Sequence, residues 1–344
     1  MNKTKFAILG CGRIAFKHLE AIEGNSEKAE IVAVCDVVED RAKEYGEKLN
    51  VPYFTSLTEM LKQENIEIVS LCTPSGMHPK HGIEVAQSGK HVLTEKPMGT
   101  NYKEAKELIN TCDREGVQLH VVHQNRLNTT IDTLKKAVDK GRFGKIYSVQ
   151  VNVFWTRPQE YYDAAKWRGT WEFDGGCFMN QASHYVDLID YLVGDVESVM
   201  CYTSTMERKI EGEDTGVAAF KFRNGALGTL NVTMLTYPKN LEGSFTILGE
   251  KGTVRIGGVA VNKVEEWNFD SYDDDDKLVQ EASYDTASVY GFGHTGYYTN
   301  VIEAIQTGNR PPVCGRQGLK SLELILALYK SSRENKRVPL PLEF

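Results

Sequence analysis

The hydrophobic rhythm of the chain changes once along its length, and that change divides it. As far as residue 122, short runs of consecutive apolar residues alternate with segments whose apolar positions recur at helical spacing. Residues 5–9, 31–35, 66–71, 91–94 and 117–122 read as strands, and 15–22, 56–62, 79–87 and 102–114 as helices. Strands apolar on both faces and separated by amphipathic helices predict a parallel, doubly wound α/β sheet. After a helix at 130–140, residues 146–155 switch to a period of two. The alternation returns at 216–222 and 226–235, across the Asn224-Gly225 turn, and at 244–248 and 253–256, across the turn at 249–252. These segments predict an α+β domain on an open, mainly antiparallel sheet, with helices at 176–192, 298–306 and 319–331. The expected division is 1–123 for the first domain and 124–344 for the second, the C-terminal tail being able to pack back on the first.

A length of 344 residues is too great for one ordinary core, in keeping with two domains. Hydrophobic residues at 41% and charged residues at 25% describe a soluble globular chain. The apolar strand follows the first residues at once, without a leader, and no apolar run approaches the length of a bilayer. Seven cysteines, scattered and without a Cys-x-x-Cys pair, fit a reducing cytoplasm better than a disulfide or zinc framework. A net charge of -7 with no basic stripe argues against nucleic acid as a partner. One face of the open sheet must meet solvent or another subunit, and its aromatic and aliphatic residues suit an oligomer.

Residues 10–15, Gly10-Cys11-Gly12-Arg13-Ile14-Ala15, stand between a strand and a helix and form a dinucleotide fingerprint. Gly10 permits the tight turn, and Gly12 lets the backbone approach a pyrophosphate that rests on the helix N-terminus near Arg13 and Ile14. Asp36 closes the second strand, where an acid grips a ribose diol and repels a 2'-phosphate, so NAD is the expected cofactor. Two further strand ends carry Thr73, Pro74 and His78, and Glu95-Lys96-Pro97. Lys96, fixed by the following proline, suits the stabilisation of an alkoxide. His78 and His81 invite a metal reading, but no third ligand lies near them in the sequence, and none is expected. Gln124 and Arg126 end the first half as candidates for cofactor or substrate.

In the second half, Arg157, Lys166 and Arg168 are interleaved with Trp155, Tyr161, Tyr162, Trp167 and Trp171, a local cationic surface suited to an anionic ligand with a flat ring. On a helix spanning 176–192, Asn180, His184 and Asp187 would share one face, and His184 would be oriented as a general base. Gln181 lies beside them. The glycine-spaced stretch 291–296 is expected to be flexible, and its His294 is the rival base. The four acids 273–276 read as a solvated loop.

The fingerprint at Gly10, Thr73-Pro74, Glu95-Lys96-Pro97 and the segment 175–187 occur in the order and spacing of the glucose-fructose oxidoreductase, inositol dehydrogenase and MocA family, which the chain resembles over nearly all its length. The resemblance implies a Rossmann domain, an open-sheet domain, and hydride transfer at a sugar or cyclitol carbon with Lys96 and His184 as the catalytic pair. At Asn180 many members carry an aspartate, and the departure points away from inositol. The segments 124–126, 154–158, 167–171 and 179–184 look like a subgroup that oxidises C3 of UDP-N-acetylglucosaminuronic acid for surface polysaccharides. That likeness implies NAD, tetramers, in some members reoxidation of the cofactor by 2-oxoglutarate, and a substrate site drawing on Lys96, Arg126, Arg157, Tyr162, Arg168, Asn180, Gln181 and His184. A dehydrogenase of a free sugar or inositol, or a silent NAD-binding sensor, are the alternatives.

Overall fold

The computed structural model describes residues 3–286, 289, 291–310 and 313–343, in two compact units. In the first, strands β1 (Thr4–Leu9), β2 (Ala29–Cys35), β3 (Tyr53–Phe54), β4 (Ile68–Leu71), β5 (His91–Thr94) and β6 (Leu119–Val121) form a parallel sheet ordered β3-β2-β1-β4-β5-β6. Every residue of β4 is buried, as is required of a central strand covered on both faces. The order reverses between β1 and β4, and ligands of such sheets lie at the carboxyl ends around that reversal. The helix Tyr102–Glu115 shows how its ends are set locally. Asn101 accepts from the N–H groups of Lys103 and Glu104, and Gly116 stops the helix at φ +68.

The second unit holds β7 (Ile146–Phe154), β8 (Val196–Ser204), β9 (Thr215–Phe222), β10 (Leu227–Thr233), β11 (Glu242–Gly249), β12 (Gly252–Gly257), β13 (Lys263–Phe269) and β14 (Val338–Pro339). They form one sheet ordered β13-β12-β11-β7-β10-β9-β8-β14, antiparallel except where β7 meets β10. Val149, Val151 and Val153 of β7 and Ala218, Phe220 and Phe222 of β9 point to the buried face. Tyr185, from the helix Ser183–Val193, lies there too, edge-on to Trp155 at 5.9 Å. A Cβ at residue 243 would come within 2.1 Å of the Tyr185 hydroxyl, so Gly243 admits that ring. The other face exposes Tyr147, Tyr202, Val217 and Leu227, each more than two-fifths accessible.

Four expectations are corrected. The first unit is not a single stretch: it comprises Met1–Gln124 with His294–Lys320, while the second takes Asn125–Gly293 with Ser321–Phe344. The segment returns because Val313 pairs by its carbonyl with Val121, extending the β6 edge, and Tyr297 donates to the Val121 carbonyl at 2.5 Å. Residues 176–192 are not one helix. Regular helix begins at Ser183: ahead of it the Ala182 N–H reaches back five residues to the Cys177 carbonyl, and the N–H groups of Gly176, Phe178 and Met179 are taken by the side chains of Tyr329 and Glu213. Asn180 therefore precedes the helix and does not share its face with His184 and Asp187. The stretch 291–296 is not a loop throughout, since the helix Gly293–Thr307 takes in His294. The acids 273–276 are ordered as well. Asp273 caps the short turn Asp274–Leu278, Asp276 pairs with Arg142 and accepts from Trp267, and Lys140 bridges Asp273 and Asp275.

Candidate active site

Gly10 sits at φ +95, and a Cβ there would meet the Cys72 carbonyl group at 2.9 Å. No side chain could be carried at this turn. At Gly12, by contrast, a Cβ would meet nothing within 4 Å, so the backbone is open to an incoming group. The helix Ala15–Glu23 that follows has no side-chain cap and no acid in its first turn. Its N–H groups and dipole are thus left to an anion, flanked by exposed Arg13 and half-buried Ile14. Asp36 is 7% exposed, and its carboxylate accepts from the N–H of Cys11 and of Val38, both at 2.8 Å. The acid is thereby held on the glycine turn, and these residues fit the pyrophosphate and ribose of NAD. Replacing Asp36 with Ala should weaken NADH binding by about tenfold or more, the worth of a charged hydrogen bond. Titration of NADH against nicotinamide fluorescence measures it, and unchanged affinity would remove Asp36 from the site.

Thr73 and Pro74 end β4, and the Thr73 hydroxyl lies 3.1 Å from His81 Nδ1. His78 is placed as a brace: its ring nitrogens lie 2.8 Å from the carbonyl oxygens of Pro97 and Thr73, tying the two strand ends together. Burial pushes its pKa down, and the two carbonyl contacts oppose that shift. Glu95 is buried against His18 Nε2 at 3.1 Å and His294 Nε2 at 3.8 Å, and its second oxygen accepts the Lys96 N–H at 3.2 Å. His18 in turn meets the Tyr298 hydroxyl at 2.6 Å, and that hydroxyl meets Ser70 at 2.8 Å. Burial alone would raise the Glu95 carboxyl, but the two histidines outweigh it and hold it well below the usual carboxylate range. Half-buried Lys96 therefore stands on a backbone anchored by an ionised acid. His294, whose own pKa burial pushes down, belongs to this brace in the first unit. Gln124 is buried at the start of the short turn Gln124–Leu127.

In the second unit, Arg126 makes a two-pronged pair with Asp187 at 2.7 and 2.6 Å, beneath the ring of Tyr191 at 4.4 Å. Ser321 adds a hydrogen bond to the same carboxylate at 2.9 Å. Arg126 was expected to meet a substrate anion, but its guanidinium is committed to a buried acid. Arg157 and Arg168 are placed differently. Their guanidinium carbons lie 5.5 and 4.4 Å from the Tyr161 ring, Arg157 also meets Trp155 at 5.3 Å, and Arg168 donates to the Tyr161 carbonyl at 2.6 Å. Tyr162 is buried edge-on to Tyr161 at 5.1 Å, and burial raises its phenol. Asn180 donates to Asp174, which also accepts the Gly169 N–H at 2.7 Å. Gln181 and His184 are buried, His184 in the first turn of Ser183–Val193. The side-chain nitrogens Arg168 Nε and Gln181 Nε2 are buried with no protein acceptor among the described residues. Buried donors of that kind fit a ligand's oxygens.

Four residues that shape this site escape sequence reading: Asp174, Glu213, Asp214 and Tyr329. Asp214 is fully buried and accepts from the N–H groups of Met206, Glu207 and Arg208. Arg208 then donates to the Arg157 carbonyl at 2.8 Å, steadying that arginine from behind. The signal for two of them is the adjacent acid pair Glu213-Asp214 entering an apolar strand, where two carboxylates need partners.

Residues 4–123 match the NAD-binding Rossmann fold of the Gfo/Idh/MocA oxidoreductases, and residues 135–340 match the C-terminal alpha/beta domain of that oxidoreductase family. Among solved structures, the WlbA dehydrogenase of Bordetella pertussis, in complex with NADH and UDP-GlcNAcA, is 56% identical over 99% of both chains, with a TM-score of 0.97. The WlbA dehydrogenase of Chromobacterium violaceum, with the same two ligands, is 54% identical over 100% of this chain and 98% of that one, with a TM-score of 0.96. The myo-inositol 2-dehydrogenase of Thermotoga maritima is 26% identical over 98% of each chain. With both halves matched and the glycine turn, Asp36 and Lys96 in place, the chain belongs to the Gfo/Idh/MocA family and is an NAD-dependent oxidoreductase.

Proposed function

We propose that the chain oxidises the C3 hydroxyl of UDP-N-acetyl-glucosaminuronic acid to the 3-keto sugar, a step toward surface polysaccharide. The observation that carries this reading is the buried donor Arg168 Nε within the Arg157–Tyr161–Arg168 cluster, with a second buried donor at Gln181 Nε2. A doubly charged pyrophosphate and a uronate call for cations that keep unmatched donors, and a flat base calls for rings. A free sugar or cyclitol needs neither. Identity of 54–56% to two dehydrogenases that hold UDP-GlcNAcA supports the same substrate class.

NAD, when bound by Gly10, Gly12, Asp36 and the N-terminus of Ala15–Glu23, supplies the hydride acceptor. His184 removes the proton of the C3 hydroxyl as general base, and Lys96 stabilises the oxygen as charge develops on it. Asn180, seated on Asp174, and Gln181, through its buried donor, hold sugar hydroxyls. Arg157 and Arg168 take the carboxylate and pyrophosphate, and Tyr162 backs them. In this reading a second copy covers the sheet face that exposes Tyr147, Tyr202, Val217 and Leu227, within a tetramer. No helix among the described residues is long and apolar enough to cross a membrane, and the reading places the enzyme in the cytoplasm.

Anaerobic incubation with UDP-N-acetyl-glucosaminuronic acid should raise the near-ultraviolet absorbance of reduced nicotinamide, and added 2-oxoglutarate should reverse it. A rise that persists after the keto acid would leave the substrate standing and remove in-place recycling. No rise, with NAD shown to be bound, would overturn the nucleotide-sugar assignment in favour of a free sugar or cyclitol.

A further inference from the structure

The turn 175–182, which carries Asn180 and Gln181 into His184, closes backbone hydrogen bonds of its own from Asn180 to the Gly176 carbonyl at 3.0 Å and from Ala182 to the Cys177 carbonyl at 2.9 Å, and its other N–H groups are held from outside. Glu213 lies beneath it, 2% exposed, and Oε1 accepts the Phe178 N–H at 2.9 Å and the Tyr329 hydroxyl at 3.0 Å. The Tyr329 oxygen in turn accepts the N–H groups of Gly176 at 3.3 Å and Met179 at 3.2 Å. The Cys177 N–H goes to the Glu213 carbonyl at 2.9 Å. The fit is close: a Cβ at residue 176 would fall 1.6 Å from Glu213 Oε2, and one at residue 212 would fall 2.7 Å from the Gly176 Cα. Beyond those two bonds, the turn rests on one carboxyl and one phenol supplied by distant parts of the chain.

We propose that Glu213, with Tyr329, is a positioning residue that sets the geometry of the Asn180–His184 segment, and that it does so best as a neutral acid. Geometry supplies the reason. Oε2 is buried with no hydrogen-bond partner, and no lysine or arginine among the described residues pairs with the carboxyl. The titratable groups around it are Cys177 on the turn, Tyr329 on Gly315–Glu334, Cys201 on β8 and adjacent Asp214, all neutral or acidic. A charge at this place has no counter-ion, so ionisation must be met by opening the turn toward water. Burial pushes the carboxyl up from 4.5 to about 7, the hydrogen bonds from Phe178 and Tyr329 opposing it only in part. A pKa raised on folding contributes stability that is complete below the unfolded value and is lost as pH rises through the folded one. The turn is therefore firmest below about pH 4.5 and loosens as pH rises to about 7.

This inference rests on the Asn180–His184 segment being the substrate site, but its first test needs no substrate. Amide hydrogen exchange of the peptide 175–182 is compared in the full-length protein and in Glu213→Gln at about pH 6 and about pH 8, corrected for intrinsic rates. The parent should exchange faster than Glu213→Gln, and its excess should grow about threefold or more from the lower to the higher pH. Equal protection at both values overturns the proposal. In the second arm, KM for UDP-N-acetyl-glucosaminuronic acid should rise with pH in the parent, flatten in Glu213→Gln, and be raised at every pH in Tyr329→Phe, with kcat less affected. Superposable KM profiles in parent and Glu213→Gln would also overturn it. Absence of any turnover with that substrate would instead strike the substrate assignment, and the exchange result would still decide the role of Glu213.

Discussion

Replacing His184 with Asn is expected to lower turnover by about a hundredfold or more while leaving NADH affinity nearly unchanged, the effect of removing a general base without disturbing the cofactor turn. Asparagine keeps a polar, hydrogen-bonding group of similar reach in the first turn of Ser183–Val193, so the helix start should survive. It cannot accept the proton of an alcohol. The rival, His294, is packed beside ionised Glu95 in the first unit, with its own proton affinity lowered by burial. His294→Asn should therefore act on the Glu95 brace, reducing thermal stability and cofactor affinity more than the chemical step. Stopped-flow measurement of nicotinamide reduction in both variants separates the two roles. Near-normal reduction in His184→Asn would shift the base to Lys96 or His294.

The first unit was legible because its physics is local. Strands buried on both faces are continuous apolar runs, and the glycine turn needs residues that only a few sequences supply. What went unseen there is the helix Glu39–Leu49, which buries only Ala42 and Gly46 and so shows almost no apolar stripe. In the second unit the hairpins were legible by alternation, but β13 was not: Lys263–Phe269 is an edge strand in which no residue is fully buried. The site itself divided along the same line. Gly10, Asp36, Lys96 and His184 announce themselves by residue type and spacing. At 176–182 a glycine pair followed by an uninterrupted run looks like a helix start, whereas Ala182 closes a wider turn onto Cys177 and that turn is seated on Glu213 and Tyr329, residues far off in sequence. The pairing of Arg126 was hidden for the same reason, its partner Asp187 being visible only once the chain is folded.

That partner makes Arg126 a test of which reading of the segment 124–126 holds. The pair is nearly buried, its side chains 9% and 1% exposed, and it is closed by Ser321 and the Tyr191 ring. Asp187 also stands one turn beyond His184 on the same helix, so the pair fixes the rotation of that helix about its axis. Breaking a buried ion pair from one side strands the remaining charge, at a cost of about 3–5 kcal/mol. Asp187→Ala and Arg126→Met should each lower the melting temperature on the order of 10 °C. The double variant Arg126→Met with Asp187→Leu removes both charges and leaves apolar side chains of similar volume, and it should recover most of the loss. Were Arg126 a substrate ligand instead, Arg126→Met would raise KM sharply at nearly unchanged melting temperature, and the double variant would recover nothing. Thermal melts of the three variants beside their KM values distinguish these outcomes, because a coupling between the two sites appears only where the charges meet.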